Sequence, residues 1–165
     1  MVITAALTAT GSVGHLKQRT WQTTWRDIDH QLAALEAYYV APPAVSNGSV
    51  RLMVEHLLES FRELGDRLWR TTDLSESAVK TFVHGNPDLE VCDGFAHASK
   101  RNFRRKRRVS HDPLTAWIER ESTDGAVVIR WENQSGTVTG TDDALALARR
   151  CVAAWRSYLT HHGVT

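Results

Sequence analysis

Apolar positions along the chain first recur with a helical period. Trp21, Trp25, Ile28, Leu32, Leu35 and Tyr39 follow one another at spacings of 4, 3, 4, 3 and 4. That spacing lays one apolar stripe along a helix, predicted over about 15–40. Pro42 and Pro43 end it, and Ser46-Asn47-Gly48-Ser49 reads as the following loop. A second helix is predicted over about 50–70, with Leu57, Leu58, Phe61, Leu64, Leu68 and Trp69 inward and Glu55, Glu59, Arg62, Glu63, Asp66 and Arg67 outward. A shorter helix over 75–84 takes Ser75 as its N-cap and closes at Gly85. Asn86-Pro87-Asp88 then reads as a new helix start, with Asn86 as cap and Pro87 at the first helical position. This fourth helix, over 87–101, places Leu89, Cys92, Phe95, Ala96 and Ser99 on one face.

From Leu114 the period drops to two. Leu114, Ala116 and Ile118 alternate with polar residues, as do Val127, Ile129 and Trp131. Asp124-Gly125 and Ser135-Gly136 are turn signals, and Thr137-Val138-Thr139 follows the second of them. A three-stranded meander over 114–140 is predicted. A last helix over 142–161 carries Leu145, Ala148, Cys151, Val152, Trp155, Tyr158 and Leu159 on a broad apolar face, with Asp142 and Asp143 in its first turn. The expected fold class is α+β and mainly helical: about five helices, with a three-stranded antiparallel meander before the C-terminal helix. Residues 1–14 read as a loose arm and 15–163 as a single domain, long enough at 165 residues to bury a core without staples. The stripe over 21–39 resembles a short coiled-coil seam but spans too few heptads, so an intramolecular core face is expected. Its aromatic end also raises the expectation of a homodimer or a partner helix.

Composition adds little until charge is considered. Apolar residues make up 42% and charged residues 24%, ordinary globular values that exclude a disordered or fibrous chain. Cys92 and Cys151 lie in apolar helical patterns, away from any Cys-x-x-Cys pair, and are expected to be buried thiols. A reducing, cytoplasmic setting follows as the expectation. Met1 to Val13 lacks a basic leader and a sustained apolar run, so no secretory signal is expected, and no stretch reaches membrane-spanning length. The net charge of +1 hides an asymmetry. Lys100, Arg101, Arg104, Arg105, Lys106, Arg107 and Arg108 put seven cations into nine positions. Removing them from the 20 cations leaves 13 against 19 anions, a net of −6.

Cations at this density repel one another unless anions neutralise them. Phosphate backbones do so, with a gain from counterion release, and the arginine-rich composition suits forked phosphate contacts. Nucleic acid, RNA foremost, or another polyanion is therefore the expected partner of residues 100–108. The competing reading is a solvated connector resting on the protein's own acidic surface.

Two Arg–His pairs invite a catalytic reading. An Arg-x4–6-His pattern resembles the signature of HEPN-type ribonucleases, where a general acid/base stands beside a cation that holds the scissile phosphate. Arg51 and His56 fit it within the second helix, and Arg105 and His111 fit it after the basic run. Chance produces such pairs readily in a chain with eight histidines and twenty cations. His161 and His162 are adjacent at the tail. His84 and His97 lie on different predicted helices with no carboxylate at ligand spacing, so no metal and no cofactor is expected. There is no Gly-rich phosphate loop, nucleophile elbow or paired-carboxylate motif. Ser99 and Lys100, being adjacent on a helix, point apart and do not make a serine–lysine pair.

Two stretches carry a family resemblance. Glu63-Leu64-Gly65-Asp66-Arg67-Leu68, followed by Leu89 through Lys100, is similar to a group of bacterial helical proteins with His-Leu-Lys-Asp-Trp-Leu and then Leu-x-x-Cys-x-Asp-x-Ala-Asn-x-Ser-Lys-His. The group also ends in a short meander and a Trp-containing helix, so the resemblance covers about residues 50–160, and its helical half loosely resembles HEPN domains. It implies a fold and no activity. Glu63 stands where the group has histidine, His97 where it has asparagine, and Arg101 where it has the histidine after lysine. Three function classes follow: nucleic-acid or polyanion binding without assigned catalysis, a non-enzymatic assembly or regulatory protein, and a HEPN-like metal-independent ribonuclease.

Overall fold

The computed structural model describes residues 20–42, 48–101, 114–121 and 126–164. Element order is α1 (Trp21–Val40), α2 (Ser49–Thr71), α3 (Glu76–Gly85), α4 (Pro87–Arg101), β1 (Leu114–Glu121), β2 (Val127–Asn133), β3 (Thr139–Asp143) and α5 (Ala144–His161). Five helices and a three-stranded antiparallel sheet in the order β1-β2-β3, placed before the last helix, are the fold class that the periodicities predict.

The caps explain where the helices begin. Thr20 keeps an extended backbone and its side chain accepts from the Thr23 N–H, so α1 starts at Trp21; the expected helical residues 15–19 lie outside the described residues. Ser75 accepts from the Ala78 N–H, and Asn86 from those of Asp88 and Leu89, as their cap positions require. Gly48, at φ 71°, turns the chain into α2 in a left-handed conformation that suits glycine. The proposed arm at 1–14 and the Asp124-Gly125 turn lie outside the described residues.

The third strand differs from expectation. Asn133 is buried at 8% exposure, and its side chain accepts from the Val138 N–H and donates to Thr137. The Gly136 N–H bonds back to the Asn133 carbonyl. Residues 134–138 are therefore consumed by the turn, and pairing resumes at Thr139 opposite Glu132. Asp142 and Asp143 consequently sit in β3, and Asp143 caps α5 by accepting from the Ala146 N–H.

One continuous core joins all five helices to the sheet. Ile28 and Leu35 of the α1 stripe are fully buried, whereas Trp25, Leu32 and Tyr39 are only partly covered. The stripe is thus largely used inside the molecule. Phe61, Leu64 and Leu68 of α2 and Leu147, Cys151 and Trp155 of α5 fill the centre. Cys92 and Cys151 are free buried thiols whose sulfurs lie 3.4 Å apart. Tyr39 ties the first helix to the sheet: its hydroxyl donates to Asp143 at 2.8 Å and accepts from the Val127 N–H at 2.9 Å. Among the described residues, no helix is long and apolar enough to cross a membrane.

Candidate functional site

Helices α2, α3 and α4 converge around a pocket of about 300 Å³, with Leu114 of β1 and Trp155 of α5 in its walls. Its apolar wall includes Phe61, Trp69, Val79, Val83 and Leu89. Its polar groups are Arg62 and Asp66 from α2, Lys80 and His84 from α3, and Glu90, Asp93 and His97 from α4. The helical period brings them together. Arg62, Asp66 and Trp69 recur at i, i+4 and i+7 on α2, and Glu90, Asp93 and His97 do the same with spacings of 3 and 4 on α4.

Asp93 is the hub. The His97 Nδ1 stands 2.8 Å from the Asp93 backbone carbonyl and 3.2 Å from its carboxylate. A carbonyl oxygen can only accept, so Nδ1 carries the proton, and Nε2 is the nitrogen left for another partner. On the other side, the Arg62 Nε lies 3.6 Å from Asp93 Oδ1. The Arg62 Nη1 is buried and has no hydrogen-bond partner among the described residues. Burial opposes ionisation of Asp93, but the hydrogen bond from His97 and the charges of His97, Arg62 and His84 outweigh it and hold the carboxyl below its ordinary value. The Asp93 hydrogen bond, only partly offset by burial, holds the His97 imidazole above its ordinary value.

These opposite shifts define a pH window. A depressed carboxyl adds stability that is complete above its unfolded value and lost as pH falls through the folded one. A raised imidazole adds stability that is complete below its unfolded value and lost as pH rises through the folded one. The pair therefore contributes fully between the ordinary values of 3.8 and 6.5 and fades on both sides. His97 is 49% exposed, so solvent screens the gain. The expected result is a melting temperature that declines from pH 6 to pH 8 in the parent and declines less in His97→Gln, measured by calorimetry. Parallel curves for the two proteins would contradict the pairing.

The structure places the sequence candidates as follows. Arg51 is exposed on the first turns of α2 and paired with Glu55 at 3.0 Å. His56 is exposed five residues later, about 140° around the helix. Neither lines the pocket. Lys100 and Arg101 belong to the last turn of α4. Arg104, Arg105, Lys106, Arg107, Arg108 and His111 lie outside the described residues. His84 and His97, which the sequence set on separate helices without a nearby carboxylate, share one pocket, and Asp93 stands one turn before His97. No group of three or more metal-ligating side chains occurs among the described residues.

Both stretches of the family-like pattern reach this pocket: Gly65 and Asp66 from the first, Cys92, Asp93, Gly94 and His97 from the second. Gly94 occupies the place at which that pattern has its aspartate, and Asp93 lies one position before it. Compared with protein-family models, curated proteins and solved structures, the chain matches none.

Proposed function

We propose that the protein binds nucleic acid, RNA foremost, through the basic run from Lys100 to Arg108. The observation that carries this reading is the seven cations in nine positions, continuing directly from α4 on a chain that is otherwise net −6. Cations of the described body support it by contrast. Arg51, Arg67, Lys80, Arg130, Arg149 and Arg150 each lie within ion-pair distance of a carboxylate. Those charges are largely cancelled locally, so attraction for a phosphate backbone concentrates on the basic run. Positive charge at the end of α4 also complements the helix dipole, an effect that reaches only the last turn and so accounts for Lys100 and Arg101 rather than for Arg104 to Arg108.

Counterion release supplies the test. Each phosphate contact adds about 0.7–0.9 to the slope of log affinity against log salt. Changing Arg104, Arg105, Arg107 and Arg108 to glutamine together is expected to flatten that slope by about 3 and to weaken binding of all sequences alike. The measurement is fluorescence anisotropy of labelled single-stranded RNA and DNA across a salt series. A quadruple variant that binds as tightly as the parent at low salt overturns the reading. A quadruple variant that unfolds overturns it too, by showing that these arginines pair with the protein's own carboxylates.

A further inference from the structure

The polar groups of the α2–α3–α4 pocket remain unused by a contact surface on the basic run. Two of their nitrogens are left without a partner among the described residues. The Arg62 Nη1 is a buried donor with no hydrogen bond there, and the His97 Nε2 remains once Nδ1 is engaged by Asp93 and donates when the imidazole is protonated. Both come from groups anchored on Asp93, so their positions are fixed in advance. Two others are acceptors: Asp66 and Glu90 line the same pocket, and neither carboxylate has an ion-pair or hydrogen-bond partner among the described residues. Trp69, Val83 and Leu114 line the same pocket, remain only partly buried and present apolar wall.

We infer that this pocket binds one purine nucleoside monophosphate, its phosphate between Arg62 and His97, its ring on the apolar wall, and its edge N–H donors toward Asp66 and Glu90. The complementarity is specific in kind. A buried guanidinium N–H left unbonded is costly, and an oxyanion satisfies it with a charge-assisted bond. Unpaired carboxylates facing a pocket repel an anion, so the same ligand must bring donors of its own to that side. The 6-amino group of adenine brings two N–H donors on a flat, largely apolar ring, so one group can serve two carboxylates while the ring covers the apolar wall. At about 300 Å³ the pocket lies at the lower end of small-molecule sites, which run from about 300 to 1,000 Å³. It has room for one nucleotide and excludes a duplex. The site is distinct from the basic run and does not rest on strand binding there.

Isothermal titration calorimetry of the full chain tests this with adenosine 5′-monophosphate, adenosine, inorganic phosphate and L-tryptophan. The monophosphate is expected to bind saturably and at least about tenfold more tightly than adenosine, because the phosphate carries the charge-assisted bonds. His97→Gln, at a half-exposed position, is expected to fold normally, to weaken the monophosphate about tenfold and to leave adenosine unchanged. Arg62→Lys, which keeps the charge and loses Nη1, is expected to act in the same direction. Monophosphate affinity is also expected to fall as pH rises through the raised His97 value, with Arg62, Asp66, Lys80, His84, Glu90 and Asp93 sharing the pocket. Absence of saturable binding at millimolar monophosphate overturns the inference. So does a folded His97→Gln protein that binds the monophosphate like the parent, or tighter binding of L-tryptophan than of the nucleotide.

Discussion

Replacing Trp155 with alanine is expected to cost about 3–5 kcal/mol of unfolding free energy. The indole is 1% exposed, the largest of the fully buried side chains. It meets Phe82 edge-on at 5.0 Å and Tyr158 at 5.8 Å between ring centroids, and it reaches to within 3.5 Å of where a Cβ on Gly65 would lie. Its Nε1 has no hydrogen-bond partner among the described residues, so the loss is one of packing and buried area rather than of a polar link. Because the indole is part of the pocket wall, its loss would enlarge the pocket between α2, α3 and α5, and the proposed nucleotide binding is expected to fail along with stability. Urea unfolding reports the change: the midpoint should fall while the slope holds. A loss below about 1 kcal/mol would show that the helices close over the gap.

The second large effect concerns two glycines that the sequence does not distinguish. On α4, a Cβ at Gly94 would stand 2.7 Å from the Leu114 carbonyl oxygen and 3.0 Å from its carbon, both backbone atoms of β1 that cannot swing aside. Gly94→Val is therefore expected to force α4 off the sheet and to destabilise the protein by at least about 2 kcal/mol. On α2, a Cβ at Gly65 would meet Trp155 and Val79 at 3.5 Å, an ordinary contact. Gly65→Ala is expected to stabilise by about 0.5–1 kcal/mol, since alanine loses less backbone freedom in a helix. Thermal melts of the two variants should shift in opposite directions. Equal shifts would remove the claim that α4 touches β1 through Gly94.

Most of the fold was legible because its elements are long and strongly periodic. The α1 stripe, the Ser75 and Asn86 caps and the alternation around Ile118 and Ile129 each name an element directly. Thr137-Val138-Thr139 has strand composition and so places the third strand too early, whereas Asn133 uses its side chain to build the turn through those positions. Side-chain capture of backbone groups is invisible to a count of apolar spacing. The candidate site was legible only in fragments. Asp93 and His97 stand four apart on one predicted helix, a spacing that could have paired them. From the sequence Arg62 is an outward cation on α2, and only the crossing of α2 and α4 brings it to Asp93. The local Arg51–His56 pattern drew attention within one helix, while the polar groups that meet do so across helices. The basic run stood out because charge density needs no tertiary information.

The Tyr39 hydroxyl bears on the order in which the molecule can be completed. Its acceptor, Asp143, lies 104 residues further along the chain. At about 5–20 residues per second, synthesis separates the two by roughly 5–20 s. Throughout that interval α1 and α2 can pair, but the Tyr39 end of α1 lacks its sheet and the α5 surface that Asp143 caps. The nascent chain therefore carries a partly covered aromatic edge at Trp25, Tyr38 and Tyr39 until its last helix emerges.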